Sequence, residues 1–279
     1  MTNKGTNDKK NYILGNDLRK LNIVDVDGAA THFSRYSFWH YTKLSTVDKI
    51  LDSGVFHVNN FANMNDLDEV DIHWNKRGDV FALCFSNSNT ESIPMWYLYS
   101  GIDGKGAAIG FTPATMLKYL ASINEVDVIG GEFDGRKLKR GTDFEIQYGW
   151  VYYRNPSEPD RVLFKNKWYY ISDNTKSFER NNFFIKKYAW EYEREFRIVF
   201  VSKCKDHFSK IAVPISEDYF PYLKLMLAPE MNRRTVEKEL EGHQNITKHL
   251  YNHIEKSQLS INMNLIERNK AALQEYFKV

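Results

Sequence analysis

Residues 190–199, WEYEREFRIV, constrain the fold more than any other stretch of the chain. Apolar side chains recur at Trp190, Tyr192, Phe196, Ile198 and Phe200, a period of two interrupted at Arg194, and that is the period of a β-strand with one face in a core. The other face then carries Glu191, Glu193, Glu195 and Arg197. An exposed edge strand that keeps its charges outward to resist aggregation is the general explanation of such a pattern. Three neighbouring carboxylates repel one another, however, and a solvated face avoids that cost by mixing in lysine or threonine. The cluster is better motivated if one carboxylate faces a developing positive charge.

A chain of 279 residues that is 42% hydrophobic and 27% charged can bury a core as one large domain or two small ones. The opening MTNKGTNDKKNY is polar, without the apolar segment of a leader, and no apolar run is long enough to cross a bilayer. A soluble, cytoplasmic protein with no membrane partner is therefore expected. Two cysteines are too few for a disulfide framework, and Cys84, inside VFALCF, reads as a small buried thiol. A net charge of +2 argues neither for nor against a nucleic-acid partner.

Along the chain the elements are short and mixed, which predicts an α+β fold. Residues 1–35 read as an N-terminal extension, 36–228 as the main domain and 229–279 as a helical C-terminal tail. SFWHYT is a strand with aromatic residues on both faces. It is followed by the helix LSTVDKILDSG, with Ser45 and Asp48 as a capping box, Val47, Ile50 and Leu51 as its apolar stripe and Gly54 as its stop. VFHV, VFALCFS and GAAIGF read as strands, PMWYLYS as a short aromatic helix, and Thr112 with Pro113 opens another helix. Strand-like pieces EVDVIG and FEIQYGWVYY alternate with loops containing GRKLKRG and NPSEPD, and a helix from about residue 175 leads to the glutamate strand.

Several familiar motifs fail on spacing. GKGAAIG (104–110) leads into a strand instead of out of one into a helix, so it reads as a turn and not a dinucleotide fingerprint. HExxH, paired CxxC, GxxxxGK and GxSxG are absent from the sequence. NDLDEVD (65–71) lacks the glycine and the distal glutamate of a calcium loop. No metal is expected.

The pair Glu193-x-Glu195 resembles the E-x-E element of ADP-ribosyltransferases, and the other parts of that pattern occur in the same order. SFWHYT followed by TVDKILDSG is similar to the opening strand and helix of the diphtheria-toxin-like and DNA-targeting bacterial members, and CFS (84–86) to their second motif. The run also resembles a bacterial family catalogued as domain of unknown function twenty-nine seventy-one. The residues that carry this likeness are HYT (40–42), NDLDE (65–69), CFS, MWYLYSGIDGKGAAIGF (95–111), VYY (151–153) and KKYAWEYEREFRIV (186–199). It spans roughly residues 36–200. Leu67 stands where that family often has proline.

The resemblance implies a split-sheet ADP-ribosyltransferase core with flanking helices, and NAD as co-substrate. It also implies roles. Glu195 would stabilise the oxocarbenium-like ribose, and Glu193 would orient or deprotonate the acceptor. His40 would hold the adenosine ribose, the backbone at Tyr41 and Thr42 the carboxamide, Ser86 would orient Glu195, and Trp96 and Tyr99 would pack on the nicotinamide ring. Taken singly, His40, Ser86 and the Trp96/Tyr99 pair are more often a core histidine, a turn residue and core aromatics.

The implied acceptor is nucleic acid, RNA before DNA, in a toxin or anti-phage effector with an antitoxin as a further partner. GRKLKRG and FKNKWYY (164–170) then read either as solvated loops or as a basic-aromatic surface for phosphates and bases. Protein modification, NAD hydrolysis with water as acceptor, and a non-catalytic nucleotide- or protein-binding module are the alternatives.

Overall fold

The computed structural model describes residues 12–13, 36–63, 79–100, 105–155, 157–164, 167–171, 183–229, 237–238 and 240–259. In chain order the strands and longer helices are β1 (Tyr12–Ile13), β2 (Phe38–Lys43), α1 (Leu44–Ser53), β3 (Val55–Asn59), β4 (Val80–Ser86), β5 (Gly106–Phe111), α2 (Pro113–Ser122), β6 (Glu125–Ile129), β7 (Lys137–Lys139), β8 (Phe144–Trp150), β9 (Tyr152–Asn155), β10 (Glu158–Phe164), β11 (Lys167–Ile171), β12 (Ile185–Lys187), β13 (Glu195–Ser202), β14 (Lys210–Pro214), β15 (Leu223–Leu227), α3 (Gln244–Leu250) and β16 (Ile254–Lys256). The chain is mixed α and β, with multi-stranded sheets and short helices. Among the described residues no helix is long and apolar enough to cross a membrane.

Two compact units form, each from three separate segments. The first comprises residues 1–35, 56–87 and 120–214, the second residues 36–55, 88–119 and 215–279. In the first unit β13 lies between β4 and β8, antiparallel to both. A five-stranded sheet in the order β1-β11-β10-β9-β12 and a four-stranded sheet β3-β14-β6-β7 complete it. In the second unit β16, β15, β5 and β2 are neighbours in that order.

Local sequence explains α1. Leu44, Val47, Ile50 and Leu51 recur at helical spacing and are all buried, which contributes about 1.5–3 kcal/mol for each large side chain. Gly54 ends the helix in the left-handed region at φ 64°, its N–H bonded to the Ile50 carbonyl. The expected capping box does not form. Lys43 is the N-cap residue, and no side chain caps it. Asp48 is used elsewhere: its Oδ1 accepts the N–H groups of Asn245 and Ile246 at 3.1 and 3.2 Å, at the start of α3. The Thr112 cap of α2 is present, with Oγ1 accepting the Thr115 N–H at 3.2 Å.

GAAIGF is a strand, β5, buried at every position. Gly110 stands opposite Trp39 of β2, and a Cβ added there would lie 2.5 Å from the indole ring. The backbone is thus close because the residue is glycine. Gly110→Ala is expected to cost about 1–3 kcal/mol through overpacking. Chemical denaturation of the two proteins measures it, and equal stability would mean the indole has room to move.

Beyond residue 229 the described residues include helical ones at 237–238 and 240–241, then α3, a 3₁₀ turn at Tyr251–His253 and the strand β16, so a strand interrupts the helix expected there. The rest of that tail lies outside the described residues, as do most of the N-terminal extension, the NDLDE loop and the helix expected from about residue 175.

Candidate active site

The glutamate stretch folds differently from a continuous strand. Tyr188–Glu193 form a 3₁₀ turn, Arg194 closes it in the left-handed region at φ 44°, and the strand begins only at Glu195. Trp190 and Tyr192 are therefore not strand residues; Trp190 packs instead on Val151, Tyr153 and Leu163. Nor is β13 an exposed edge with an outward charged face. It is covered on both sides by its neighbours, and Glu193, Glu195 and Arg197 are 3%, 4% and 0% exposed. Of the charges expected on a common surface, Glu191 alone stays partly exposed, 3.9 Å from Arg194.

Buried charges must be paired, and these are. Arg197 grips Glu195 with both a short Nε contact to Oε1 and an Nη2 contact 3.0 Å from Oε2. Its Nη1 donates to the Phe183 carbonyl at 2.7 Å, and its guanidinium lies 5.3 Å from the centre of the Phe61 ring. Lys186, from β12, places its ammonium 2.6 Å from Glu193 Oε2 and 3.3 Å from Glu195 Oε2. Two carboxylates and two cations thus form one buried, neutral quartet. β12 runs parallel to β9 with Lys186 opposite Tyr153, and the Tyr153 hydroxyl oxygen accepts the Glu195 N–H at 2.8 Å.

Register brings two more residues to the strand. Ser86 stands opposite Glu195 and Cys84 opposite Arg197. Burial disfavours ionisation of Glu195, but Arg197 and then Lys186, with hydrogen bonds from Arg197 and the Cys84 thiol, outweigh it and hold the carboxyl well below the usual range. Burial, and then the charge of Glu195, push the Tyr153 and Cys84 protons the other way, so both groups stay neutral.

Of the residues expected from the sequence, the structure thus brings together Glu193, Glu195 and Ser86 in the first unit. His40, Tyr41, Thr42, Trp96 and Tyr99 belong to the second. There Tyr41 and Trp96 are buried edge-to-face with ring centres 4.7 Å apart, and the Trp96 indole donates to Glu91 at 3.0 Å. His40 and Thr42 are half-buried on β2, opposite Ile109 and Ala107 of β5, and Tyr99 lies in a π-turn at Trp96–Ser100. Lys186, Arg197 and Tyr153 are the site residues that sequence reasoning missed. VYY and KKYAWEYEREFRIV contain all of them, but nothing in the strings shows that β9 and β12 pair.

The basic stretch at 135–141 is exposed at all four of its cations, and three of them are engaged. Arg136 pairs with Asp206 at 2.5 Å, Lys137 with Glu125 at 2.6 Å, and Arg140 donates to the Leu120 and Ile123 carbonyls. Among the described residues no group of three or more His, Cys, Asp or Glu side chains is placed to hold a metal ion.

No protein-family model matches the chain, and no curated protein matches it. Among solved structures it is similar to one described as Thermus sp. 2.9 DarT in complex with ADP-ribosylated ssDNA. That likeness covers 82% of this chain and 95% of the other, at 10% identity and a TM-score of 0.32. At that TM-score it supports neither fold nor activity.

Proposed function

We propose that this chain is an ADP-ribosyltransferase that cleaves the N-glycosidic bond of NAD, with Glu195 as the carboxylate that stabilises the cationic ribose. The observation that carries the reading is a buried Glu195 at the first position of β13, ion-paired with Arg197 and sharing Lys186 with Glu193. In a low-dielectric site a fixed carboxylate lowers the energy of a developing cation with no reorganisation at the moment of reaction. The bond between C1′ and the pyridinium nitrogen breaks and its electron pair leaves with neutral nicotinamide. The acceptor's nucleophilic atom then bonds to C1′ and loses its proton.

The resemblance supports the remaining parts: membership of the family catalogued as domain of unknown function twenty-nine seventy-one, NAD contacts from His40, Tyr41, Thr42, Trp96 and Tyr99, and a toxin or anti-phage setting. Nucleic acid is the proposed acceptor, with RNA ahead of DNA, on the same resemblance. Arg136 and Lys137 already have acidic partners, so the assay has to include protein as well.

The test is nicotinamide release from labelled NAD by the purified chain, alone and with RNA, single-stranded DNA or cell lysate. Release with transfer of label to nucleic acid is expected. Release without transfer means hydrolysis, and no release from folded protein removes the enzyme reading. One observation favours a second, non-catalytic reading: both oxygens of Glu195 are engaged and the charges of the quartet cancel. A binding module of that kind would retain NAD or ADP-ribose without cleaving it.

A further inference from the structure

Lys186 is shared unequally between the two carboxylates, 2.6 Å from Glu193 and 3.3 Å from Glu195. While it stays against Glu195, two cations face that one carboxylate, and a third forming beside it gains little. Glu195 is 4% exposed, so a ribose hydroxyl reaches it only when a neighbouring side chain yields. Arg197 is the wrong neighbour to move. It is fully buried, held by the Phe183 carbonyl and the Phe61 ring, and it keeps its proton at any pH the fold survives. Lys186 makes the longer contact with Glu195 and has a nearer carboxylate to retreat to.

The same distances bear on Glu193. A carboxylate with an ammonium 2.6 Å away is stabilised in its charged form and is a poor proton acceptor. It also leaves the chain in the 3₁₀ turn, not on the strand, so it does not share the Glu195 face by strand alternation. Its placement suits a hold on Lys186.

We propose that Glu193 acts on Lys186 and not on the acceptor: it is a positioning residue that draws the ammonium back from Glu195, so that the ribose hydroxyl takes Oε2 of Glu195. This rests on the NAD reading above. Arg197 keeps its contacts with both oxygens and fixes the carboxylate plane, so the hydroxyl takes the place on Oε2 that Lys186 gives up. Glu193 neither forms nor breaks a bond, and the acceptor's proton passes to water.

A double-mutant cycle on the full chain tests it. Nicotinamide release is measured over a range of NAD concentrations for wild type, Glu193→Gln, Lys186→Met and the two substitutions together, with thermal melting of each as the control for folding. In Glu193→Gln the ammonium has Glu195 as its charged partner in the cluster and competes with the substrate, so KM is expected to rise about tenfold or more. Removing Lys186 as well leaves the neutral pair Glu195 and Arg197, and should recover most of that loss. A general base behaves otherwise: kcat falls by about 10²–10⁴-fold in Glu193→Gln and the second substitution restores nothing. If Glu193→Gln does not fold, the double variant decides alone, since its remaining charges are balanced. An active double variant supports the proposal, and a folded, inert one overturns it while the active wild type leaves the NAD reading standing. A wild type that releases no nicotinamide overturns both.

Discussion

Glu195→Gln is expected to cut nicotinamide release by about 10²–10³-fold, the usual loss when one preorganised electrostatic group is removed from a transition state. Glutamine keeps the shape and one acceptor oxygen of the side chain but not the charge that faces the ribose. The substitution also leaves Lys186, Arg197 and Glu193 with an unbalanced positive charge in a buried place, a destabilisation of about 3–5 kcal/mol. Domains of this kind commonly have about 5–15 kcal/mol in hand, so the variant should still be folded at room temperature, and circular dichroism with a melt has to show that before activity is compared. Glu191→Gln is the control. That residue is partly exposed and 3.9 Å from Arg194, an arrangement worth about 0–1 kcal/mol, and its loss should leave the rate unchanged. Equal losses from both substitutions would mean that the charge of Glu195 has no special part in the reaction.

Arg197→Met is expected to have the largest effect on the fold. It strands Glu195 beside Lys186 and Glu193 with one negative charge too many, at a cost of about 3–5 kcal/mol, or about 10 °C in Tm for a domain of this size. Replacing Glu195 by methionine as well restores charge balance and should recover much of the stability, because a buried pair exchanged for apolar groups of similar volume is often close to neutral. Activity should not return in that double variant. Stability and catalysis would then separate on the same pair of residues.

The pH dependence follows from the same contacts. With Arg197 present, the folded Glu195 carboxyl titrates below its unfolded value, so its contribution is complete above the ordinary carboxylate range. That contribution is lost progressively as pH falls from the ordinary carboxylate range to the depressed folded value. Without Arg197 the largest of the contributions that lower it is gone, so the carboxyl titrates higher than in the wild type and acid relieves the variant as Glu195 takes up its proton. The gap in Tm between wild type and Arg197→Met should narrow as pH falls from neutral into the carboxylate range. A gap that is constant with pH would place the cost in lost packing against Phe61 and not in charge.

Elements whose signals are local were legible in the sequence. VFALCFS is β4 at its observed bounds, GAAIGF is β5, and the apolar stripe with Gly54 gives α1 its body and its stop. What failed was wherever a side chain serves a distant partner. Asp48 looked like half of a capping box for its own helix and instead caps α3, which a spacing rule within α1 cannot detect. Residues 190–193 alternate like a strand, yet they turn, because Arg194 takes a left-handed conformation and Glu193 is bound to Lys186. The burial of the charges was equally hidden. Three glutamates and two arginines in ten residues look solvated until β12 supplies a cation from the side, and the pairing of β12 with β9 leaves no mark on either string. That Glu193 and Glu195 lie near one another could be read from the sequence; the company that Lys186 and Arg197 keep with them could not.

Each unit is assembled from three pieces of chain, and the pairing that carries the candidate site joins residue 86 to residue 195. Pairings of this kind must meet the entropy of closing a long loop before they gain anything, so the molecule should refold slowly for its size. On a ribosome, β4 is complete long before β13 exists. The charged quartet can assemble only after Arg197 has emerged, and any activity that depends on Glu195 is therefore withheld from the nascent chain until most of it has been made.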